Sequence, residues 1–527
     1  MLPIHVVCCA RDPRRAGGLP SALSAVVAML IAVSPSLPAA RAGDVPGRGA
    51  REARGLAAPI GADQAVTDVT GIEQRGRLGS EAAFSMATVI CNQGDAPMDW
   101  HRNPDPRHPF LVFNMYRLMD DRIEQIGRSW VKHGYSASQG GGCGAPCVAT
   151  STSQMLGVGC SDVYGVGTNA RQSTFGPRAE VNPWTGAFVF AGSHLDTTDI
   201  DRHDAVEHLL RVEDRDVDPA RNPDASWFVE LQVLAHDDAD HENSIGYKQF
   251  TVAGRPGGVW DVHFLAGTAS AGTVLWDWLG AAFTVFPGDR EPDEGRAYLK
   301  TKVSDNGDGT WHYEYALFNL DFHRAIGAFR VPVGDAVELS AIEFHAPRSF
   351  DEGYSNDAWE VTREGGELVW STTPWEIDPQ ANPLRWGTLH NFRFDANVPP
   401  AASRVALVPF LPGIHDEYSG EAEAPSRPAD IAPRFRRGDS DQNGIVELGD
   451  AIVTAAYLFL GEREPACLAA LDVDDSGELD VSDVIAPLGW LFSGGPPPSS
   501  PGPFECDEDP SPETSPDQSC EYDASKC

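Results

Sequence analysis

Residues 227–233 read Trp-Phe-Val-Glu-Leu-Gln-Val, and the apolar residue at every second position indicates a strand buried on one face. Side chains of a strand point alternately to the two faces of a sheet, so every second residue shares a face. Residues 311–317, Trp-His-Tyr-Glu-Tyr-Ala-Leu, repeat the pattern. The side chains predicted to face a core are Trp227, Val229, Leu231 and Val233 in the first strand and Trp311, Tyr313, Tyr315 and Leu317 in the second.

Short runs of this kind recur between turn residues over residues 66–412. Further candidate strands lie at residues 259–266, 329–333, 339–344, 368–371, 392–395 and 404–410. Residues 305–309, Asp-Asn-Gly-Asp-Gly, predict a hairpin turn because Asn and Gly tolerate positive φ. A cation-binding loop is disfavoured there, since no acidic residue follows at its closing position. The expected fold class is mainly β, a large β-sandwich-type domain or two stacked sandwiches, plus a small α-helical module.

The small module is predicted from two twelve-residue segments, 439–450 and 472–483, which share the pattern of an EF-hand calcium loop. Side-chain oxygens at positions 1, 3 and 5, a glycine at 6, a carbonyl at 7 and an acid at 12 can surround one Ca²⁺ ion, with position 9 acting directly or through water. The expected ligands of two Ca²⁺ ions are Asp439, Asp441, Asn443, Ile445, Glu447 and Asp450, and Asp472, Asp474, Ser476, Glu478, Asp480 and Asp483. The alternative is a pair of solvated acidic loops without an ion.

Each loop is followed by a related apolar segment, residues 451–461 and residues 484–494, and the two align without gaps. Both are expected to form helices that leave the loops. Pro487 and Gly489 predict that the second helix is short or kinked. Residues 413–437 are predicted to be a linker and residues 497–527 a Pro-rich, acidic tail that carries cysteines.

This duplicated unit, over residues 438–496, resembles the type I dockerin, which has two loop-plus-helix repeats and Asp at position 12. The resemblance implies that the module attaches its protein to a cohesin-like or other extracellular partner, often in polysaccharide-degrading complexes. Loop positions 10 and 11, which usually carry a Ser-Thr-like recognition pair, are Leu448-Gly449 and Val481-Ser482 here. An unfamiliar protein partner, or the Pro-rich tail itself, is therefore expected on the helices.

A second resemblance is carried by short segments of the large β region, at residues 115–118, 125–127, 129–130, 132–134, 159–162, 176–178, 180–183 and 384–389. These segments resemble those of a family of secreted, dockerin-tailed proteins of planctomycete-type bacteria. The resemblance implies secretion and this architecture, and it implies no particular chemistry.

Composition and the N-terminus point to export. With 77 acidic against 40 basic residues, the net charge of −37 argues against nucleic acid or an anionic membrane as a partner. Residues 1–42 have the basic, apolar and small-residue regions of a signal peptide, and residues 43–65 are expected to be disordered. The apolar run is too short for the ~20 residues that cross a bilayer, so no membrane span is predicted. The expected location is extracellular or at the cell surface.

Eight cysteines remain after the predicted signal peptide, and an oxidising compartment favours disulfides over zinc ligation. The first four, Cys91, Cys143, Cys147 and Cys160, allow three pairings, which the sequence leaves open. In the C-terminal group the spacing predicts Cys467–Cys506 and Cys520–Cys527.

The β region carries no recognisable catalytic signature, so whether the chain is an enzyme stays open. Two segments are rich in metal-ligand side chains, and each is either a metal site or a solvated loop. The two interpretations of function are a non-catalytic extracellular protein assembled through its calcium module, and a secreted hydrolase of the O-glycosyl bonds of polysaccharides. Paired carboxylates in an aromatic-lined cleft would favour the hydrolase. The ligand-rich segments hold His194, Asp196, Asp199, Asp201, His203 and Asp204, and His236, Asp237, Asp238, Asp240 and His241.

Overall fold

The computed structural model describes residues 61–196, 203–287, 294–334, 337–425, 434–460 and 467–507, together with residues 465, 509, 520, 522 and 526. The predicted signal peptide, nearly all of the segment expected to be disordered, and Asp199 and Asp201 lie outside the described residues. The fold is mainly β, as predicted, with 38% of residues in strands and 11% in helices.

Residues 64–271 contain fourteen strands and two one-turn helices, α1 (Val166–Asn169) and α2 (Asp214–Val217). The strands are β1 (Gln64–Leu78), β2 (Glu81–Asn92), β3 (Met98–Asp99), β4 (Phe110–Met119), β5 (Arg122–Arg128), β6 (Val131–His133), β7 (Met155–Leu156), β8 (Ser161–Tyr164), β9 (Phe175–Gly176), β10 (Leu210–Glu213), β11 (Ser226–Leu234), β12 (Ile245–Ala253), β13 (Asp261–Phe264) and β14 (Ser270–Ala271).

Twelve of these strands form one sheet whose main path is β1-β2-β10-β5-β4-β11-β12-β13. The sheet nearly closes on itself, because the Trp260 N–H beside β13 donates to the Gln74 side chain of β1 at 2.8 Å. Strand β11 contains the first alternating segment, and its four predicted core residues are all buried inside this sheet, which confirms the prediction.

Residues 282–424 form ten further strands, arranged as two five-stranded antiparallel sheets. They are β15 (Ala282–Phe286), β16 (Ala297–Asp305), β17 (Trp311–Asn319), β18 (Ile326–Pro332), β19 (Leu339–His345), β20 (Glu360–Glu364), β21 (Glu367–Ser371), β22 (Thr388–Ala396), β23 (Ala401–Pro409) and β24 (Tyr418–Ala424). The sheets have the orders β15-β16-β17-β22-β19 and β20-β21-β18-β23-β24 and enclose a second core.

The second alternating segment lies in β17, where Tyr313, Tyr315 and Leu317 are buried in this core and Trp311 packs at its edge. Strands β16 and β17 pair as a hairpin across residues 305–309, so the predicted turn is confirmed. The other candidate strands also correspond to strands. One boundary was wrong: β24 lies inside the predicted linker, because Tyr418, Ala422 and Ala424 are buried in the sandwich core.

A third apolar cluster joins the outer face of the large sheet to the sandwich. It includes Tyr116 and Phe228 from one side and Phe318 and Leu389 from the other. Polar pairs cross the same boundary, and in one of them Arg393 of β22 donates to Glu124 of β5 at 3.0 Å. The two β units therefore share a buried interface.

The C-terminal module contains two thirteen-residue helices, α3 (Leu448–Leu460) and α4 (Val481–Ser493). Helix α4 is as long as α3, so of the two expected alternatives, a short or a kinked second helix, shortening is wrong. Asp480 and Asp483 form a capping box at its N-terminus, and Gly494 ends it in the left-handed conformation. These caps define both ends of the helix despite Pro487. Within the described part of the chain, no helix has the length and apolarity needed to cross a membrane.

The first four cysteines form disulfides, as predicted, and the pairs are Cys91–Cys143 and Cys147–Cys160. The predicted pairing in the module was wrong, because Cys467 is bonded to Cys520. Cys506 is also disulfide-bonded, and Cys527 lies outside the described residues.

Candidate functional site

The two acidic loops fold around the aspartate at their first position. In each loop this carboxylate accepts hydrogen bonds from the backbone N–H groups of positions 5 and 6, at 2.9–3.1 Å. The position-6 glycines take φ values of 92° and 82°, a conformation that side chains disfavour. The donors are Asn443 and Gly444 to Asp439, and Ser476 and Gly477 to Asp472.

The aspartate at position 12 closes each loop from the first turn of its helix. One carboxylate oxygen accepts the N–H of position 9, at 2.7 Å in the first loop and 2.9 Å in the second. The other oxygen accepts an N–H from the start of the loop. The donors are Glu447 and Asp441 to Asp450, and Asp480 and Val473 to Asp483.

These bonds bring three predicted ligands together in each loop. A carboxylate oxygen from each of positions 1, 3 and 12 lies within 4.8 Å of the others in both loops, as Asp439, Asp441 and Asp450, and as Asp472, Asp474 and Asp483.

The remaining predicted ligands lie at the rim of each loop. Asn443 donates to Asp441 at 3.1 Å and to Glu447 at 3.4 Å. Ser476 donates to the carbonyl of Glu478 at 3.2 Å, while Asp480 caps α4. Ile445, at position 7, belongs to the predicted ligand set through its backbone carbonyl oxygen, because its side chain is apolar.

The aspartates at positions 1 and 12 are buried, at 0–1% exposure. Burial, together with the nearby charges of Asp441 and Asp439, raises the pKa of Asp450 to about 6. Burial likewise raises the pKa of Asp483 to about 6, together with Asp472 and Asp474. Each loop therefore concentrates negative charge that a cation would neutralise.

Two residues outside the loop pattern contact the clusters, and the loop motif does not include them. The Tyr522 hydroxyl donates a short hydrogen bond to Asp439. Arg437 is fully buried and donates to the Asp472 carbonyl at 2.6 Å and to Asp509 at 2.9 Å. The sequence feature that could have indicated Arg437 is its position, two residues before the first acidic loop and inside the predicted linker.

The tail runs back over the module, which explains the corrected disulfide. Phe435 and Asp507 exchange backbone hydrogen bonds of 3.1 and 3.2 Å, and the Ser499 N–H donates to Val473 at 3.2 Å. This path carries Cys506 towards Phe435. Cys520 instead reaches Cys467, and both are buried in the small core of the module.

An apolar groove of about 370 Å³ runs between the two helices of the module. Phe459 on α3 is 62% exposed and Phe492 on α4 is 68% exposed. The tail contacts the module elsewhere, where Phe504 meets Trp490 edge-on at 5.8 Å. The groove is lined by Leu448, Ala451, Ile452, Ala455, Ala456, Phe459, Leu460, Val484 and Leu488.

The sandwich holds a larger cleft, of about 770 Å³, beside the end of β21. Trp375 lines it and packs at 89° against Phe410, with ring centroids 5.7 Å apart. The acidic residues of the lining are Asp357, Glu360, Glu376, Asp378 and Asp416. Two acidic residues outside the lining are engaged in ion pairs, Asp351 with Arg211 and Glu352 with Arg128, each at 2.9 Å.

The two ligand-rich segments of the β region each contribute to a compact cluster. One consists of His203, Glu207 and His208, and the other of Asp99, His236 and Asp237. Asp238 instead supports the backbone of β1, where it accepts the Gln64 N–H at 3.0 Å, and His241 pairs with Asp321 at 2.9 Å.

The chain was also compared with known protein families and with curated proteins. No protein-family model matches the chain, and no curated protein is significantly similar to it. The function of the two loops is therefore inferred from their own side chains.

Proposed function

We propose that the chain is a secreted calcium-binding protein whose non-catalytic β region is displayed or assembled through the C-terminal module. The observation that carries the proposal is the repetition of one carboxylate geometry in two loops. In both loops the carboxylates of positions 1, 3 and 12 converge, the position-1 carboxylate accepts the N–H groups of positions 5 and 6, and the position-6 glycine has positive φ. Loops that only connect other elements have no physical reason to share all three features.

The donors suit calcium. Ca²⁺ takes six to eight oxygen ligands at about 2.3–2.6 Å and tolerates irregular geometry. Each loop offers three converging carboxylates, with a further side-chain oxygen at position 5 and a backbone carbonyl at position 7. Zinc would favour imidazole or thiolate, and neither occurs within the two loops.

Export is supported by the predicted signal peptide and by the disulfides, which persist in oxidising compartments. Assembly is supported by the groove between α3 and α4. Its lining includes Ile452 and Phe459, which are 60% and 62% exposed, and exposed apolar patches of this kind are typical of protein-binding sites. The proposed occupant is an extracellular protein, cohesin-like or other.

Calorimetric titration of the purified chain tests the metal. We expect two calcium equivalents, because the two loops have the same ligand set. Asp439→Ala and Asp472→Ala are each expected to remove one equivalent. Glu478→Gln is the matched control, since position 7 contributes its carbonyl and the count should remain two. Titration without binding, or an unchanged count in both alanine variants, would contradict the proposal.

Capture from the native secretome tests assembly. We expect a protein partner that binds the chain with calcium, is released by a chelator and is lost in the Ile452→Ser/Phe459→Ser double variant, because both side chains line the groove and are exposed. Phe504 is 82% exposed and does not line the groove, so Phe504→Ser should retain the partner. A partner that the double variant still binds would exclude the groove.

The cleft in the sandwich favours a second candidate, a polysaccharide-acting hydrolase. Glycoside hydrolysis needs two carboxylates flanking the bond, and an aromatic face suits a sugar ring. Turnover of a glycan panel by the purified chain tests it. Activity that is lost in Trp375→Ala and kept in Trp184→Ala, outside the cleft, would support the hydrolase. Absence of turnover across the panel would leave the non-catalytic function.

A further inference from the structure

Residues 203–208 bring two imidazoles and a carboxylate together on the large β unit. His203 Nδ1 lies 3.3 Å from Glu207 Oε2, and His208 Nε2 lies 3.7 Å from Glu207 Oε1. Two ligands at about 2.1 Å from a tetrahedral metal ion are roughly 3.4 Å apart. The two distances run to different oxygens of Glu207, and one ligand atom from each of the three residues lies within 4.8 Å of the other two, which is close enough for the three residues to contact one ion.

His208 is held in one orientation. Its side chain is 1% exposed, and its ring stacks on Trp130 with centroids 3.8 Å apart at 26°. Its Nδ1 lies 3.4 Å from the carbonyl of Gln172, which can accept an N–H, and in the tautomer with the proton on Nδ1 the nitrogen beside Glu207, Nε2, is the ligand atom. Metal-binding histidines are commonly fixed by such a bond from the other ring nitrogen.

The backbone of the segment is also fixed. The side chain of Gln172 donates to the carbonyls of Asp204 at 2.7 Å and Glu207 at 2.9 Å. The Asp204 carboxylate accepts the N–H groups of Val206 and Glu207 at 2.8 and 2.9 Å, and Val206 is fully buried. His208 takes a φ of 65°, which is uncommon for a side-chain-bearing residue and frequent at functional sites.

We propose that His203, Glu207 and His208 bind one divalent transition-metal ion of the zinc class. Two imidazoles and one carboxylate form a ligand set for zinc, cobalt or iron, whereas calcium and magnesium take oxygen ligands. Three protein ligands leave a position for water, as in catalytic rather than structural zinc sites. The side chains of His203 and Glu207 are 14% and 30% exposed, so solvent can reach that position.

The other cluster is a weaker candidate because its charges already have partners. The Asp237 carboxylate accepts the Asp99 N–H at 2.8 Å, and Arg107 lies 3.8 Å from the Asp99 carboxylate. His236, which is 3.1 Å from Asp99, is therefore a useful internal control.

Cobalt titration of the chelator-stripped full chain, with saturating calcium to occupy the acidic loops, tests the proposal. We expect one Co²⁺ equivalent with visible d–d absorption that zinc displaces. His203→Ala and Glu207→Gln should each weaken binding by more than the roughly 10- to 100-fold that outer-shell changes cause. Glu207→Gln preserves the shape of the side chain, and near-ultraviolet circular dichroism checks that the variants fold.

His263→Ala is the matched control. Its ring lies 2.9 Å from Asp261, is 71% exposed and belongs to no three-residue cluster among the described residues, so Co²⁺ binding should persist. Absence of absorption in the natural chain, or full binding in folded His203→Ala and Glu207→Gln, would overturn the proposal. Loss of the absorption in His236→Ala alone would also overturn it, because the ion would then belong to the other cluster.

Discussion

At the scale of single residues, the position-6 glycines allow each acidic loop to turn back on its first aspartate. Gly444 and Gly477 place their N–H groups 2.9 Å from Asp439 and Asp472 while in the left-handed region. An L-residue with a Cβ atom is about 1–2 kcal/mol less stable in that region. Glycine therefore permits the tight carboxylate contact that brings the other ligands inward.

Gly477→Ala is expected to weaken calcium binding at the second loop by about 5- to 30-fold, which corresponds to 1–2 kcal/mol. Gly489→Ala is the matched control, because Gly489 lies inside α4 with no atom within 4 Å of an added Cβ. Alanine there should stabilise the helix by about 0.5–1 kcal/mol. Calorimetric titration measures both variants, and equal affinities would show that the glycine conformation is unimportant.

At the scale of elements, the tail fixes the two repeats against one another. It pairs with the segment before the first loop, donates to Val473 in the second loop and bonds covalently to the inter-repeat segment. The buried Arg437 lies between these parts, with its guanidinium 4.0 Å from the Asp472 carboxylate. The tail therefore belongs to the C-terminal module and extends it beyond residue 496.

Removing the Cys467–Cys520 disulfide is expected to destabilise the module. The bond spans a sequence separation of 53, and the chain-entropy description gives about 4 kcal/mol for such a loop. The Cys467→Ser/Cys520→Ser variant should lower the unfolding temperature of the module. Cys91→Ser/Cys143→Ser, with a separation of 52, should instead affect the β unit. Scanning calorimetry separates the two, and unchanged unfolding in the first variant would contradict the role of the tail.

Glu124 should make the interface between the β units sensitive to acid. Burial would raise its pKa, but His345 and hydrogen bonds from Arg393 and Arg117 outweigh burial and lower the pKa to about 2. A pKa below the unfolded value means that ionised Glu124 stabilises the fold above about pH 4.5, and this contribution is lost as the pH falls towards 2. The shift corresponds to about 3 kcal/mol.

Glu124→Gln is therefore expected to lower the free energy of unfolding by about 3 kcal/mol at pH 7 and by progressively less towards pH 2. Glu343→Gln serves as the control, because Glu343 also pairs with Arg393 but its side chain is 60% exposed. Urea unfolding at several pH values measures the difference. A loss that does not depend on pH would rule out ionisation as the cause.

At the scale of the whole molecule, the C-terminal module and the β region have separate cores. The β region has extensive buried apolar clusters, whereas the core of the module contains Phe435, two cysteines and two alanines. A unit with so small a core depends on other sources of stability, and bound calcium is the one proposed here.

Chelation of calcium is expected to unfold the module and leave the β region folded. Each site contributes about 2.7 kcal/mol when calcium is at 100 times its dissociation constant. A chelator should therefore reduce helical circular dichroism and lower only the calorimetric transition of the module. Magnesium at the same ionic strength is the control. Identical spectra and transitions with and without the chelator would refute the dependence.

Local patterns predicted much of this protein from the sequence. The strand faces at Trp227–Val233 and Tyr313–Leu317 follow from alternation along a single segment, because burial on one face leaves a period of two. The converging positions 1, 3 and 12 follow from loop spacing in the same way. In both cases the residues that act together are close in sequence.

Contacts between distant segments were decided only by the tertiary structure. Three features depend on where a segment distant in sequence packs: the Cys467–Cys520 bond, the hydrogen bond from Tyr522 to Asp439 and the strand at Tyr418–Ala424. Local sequence patterns contain no information about such long-range packing. The meeting of His208 with Trp130 and Gln172 is of the same kind. The sequence by itself determined the mainly β fold and the two acidic loops, whereas chain packing decided which distant side chains complete and support the sites.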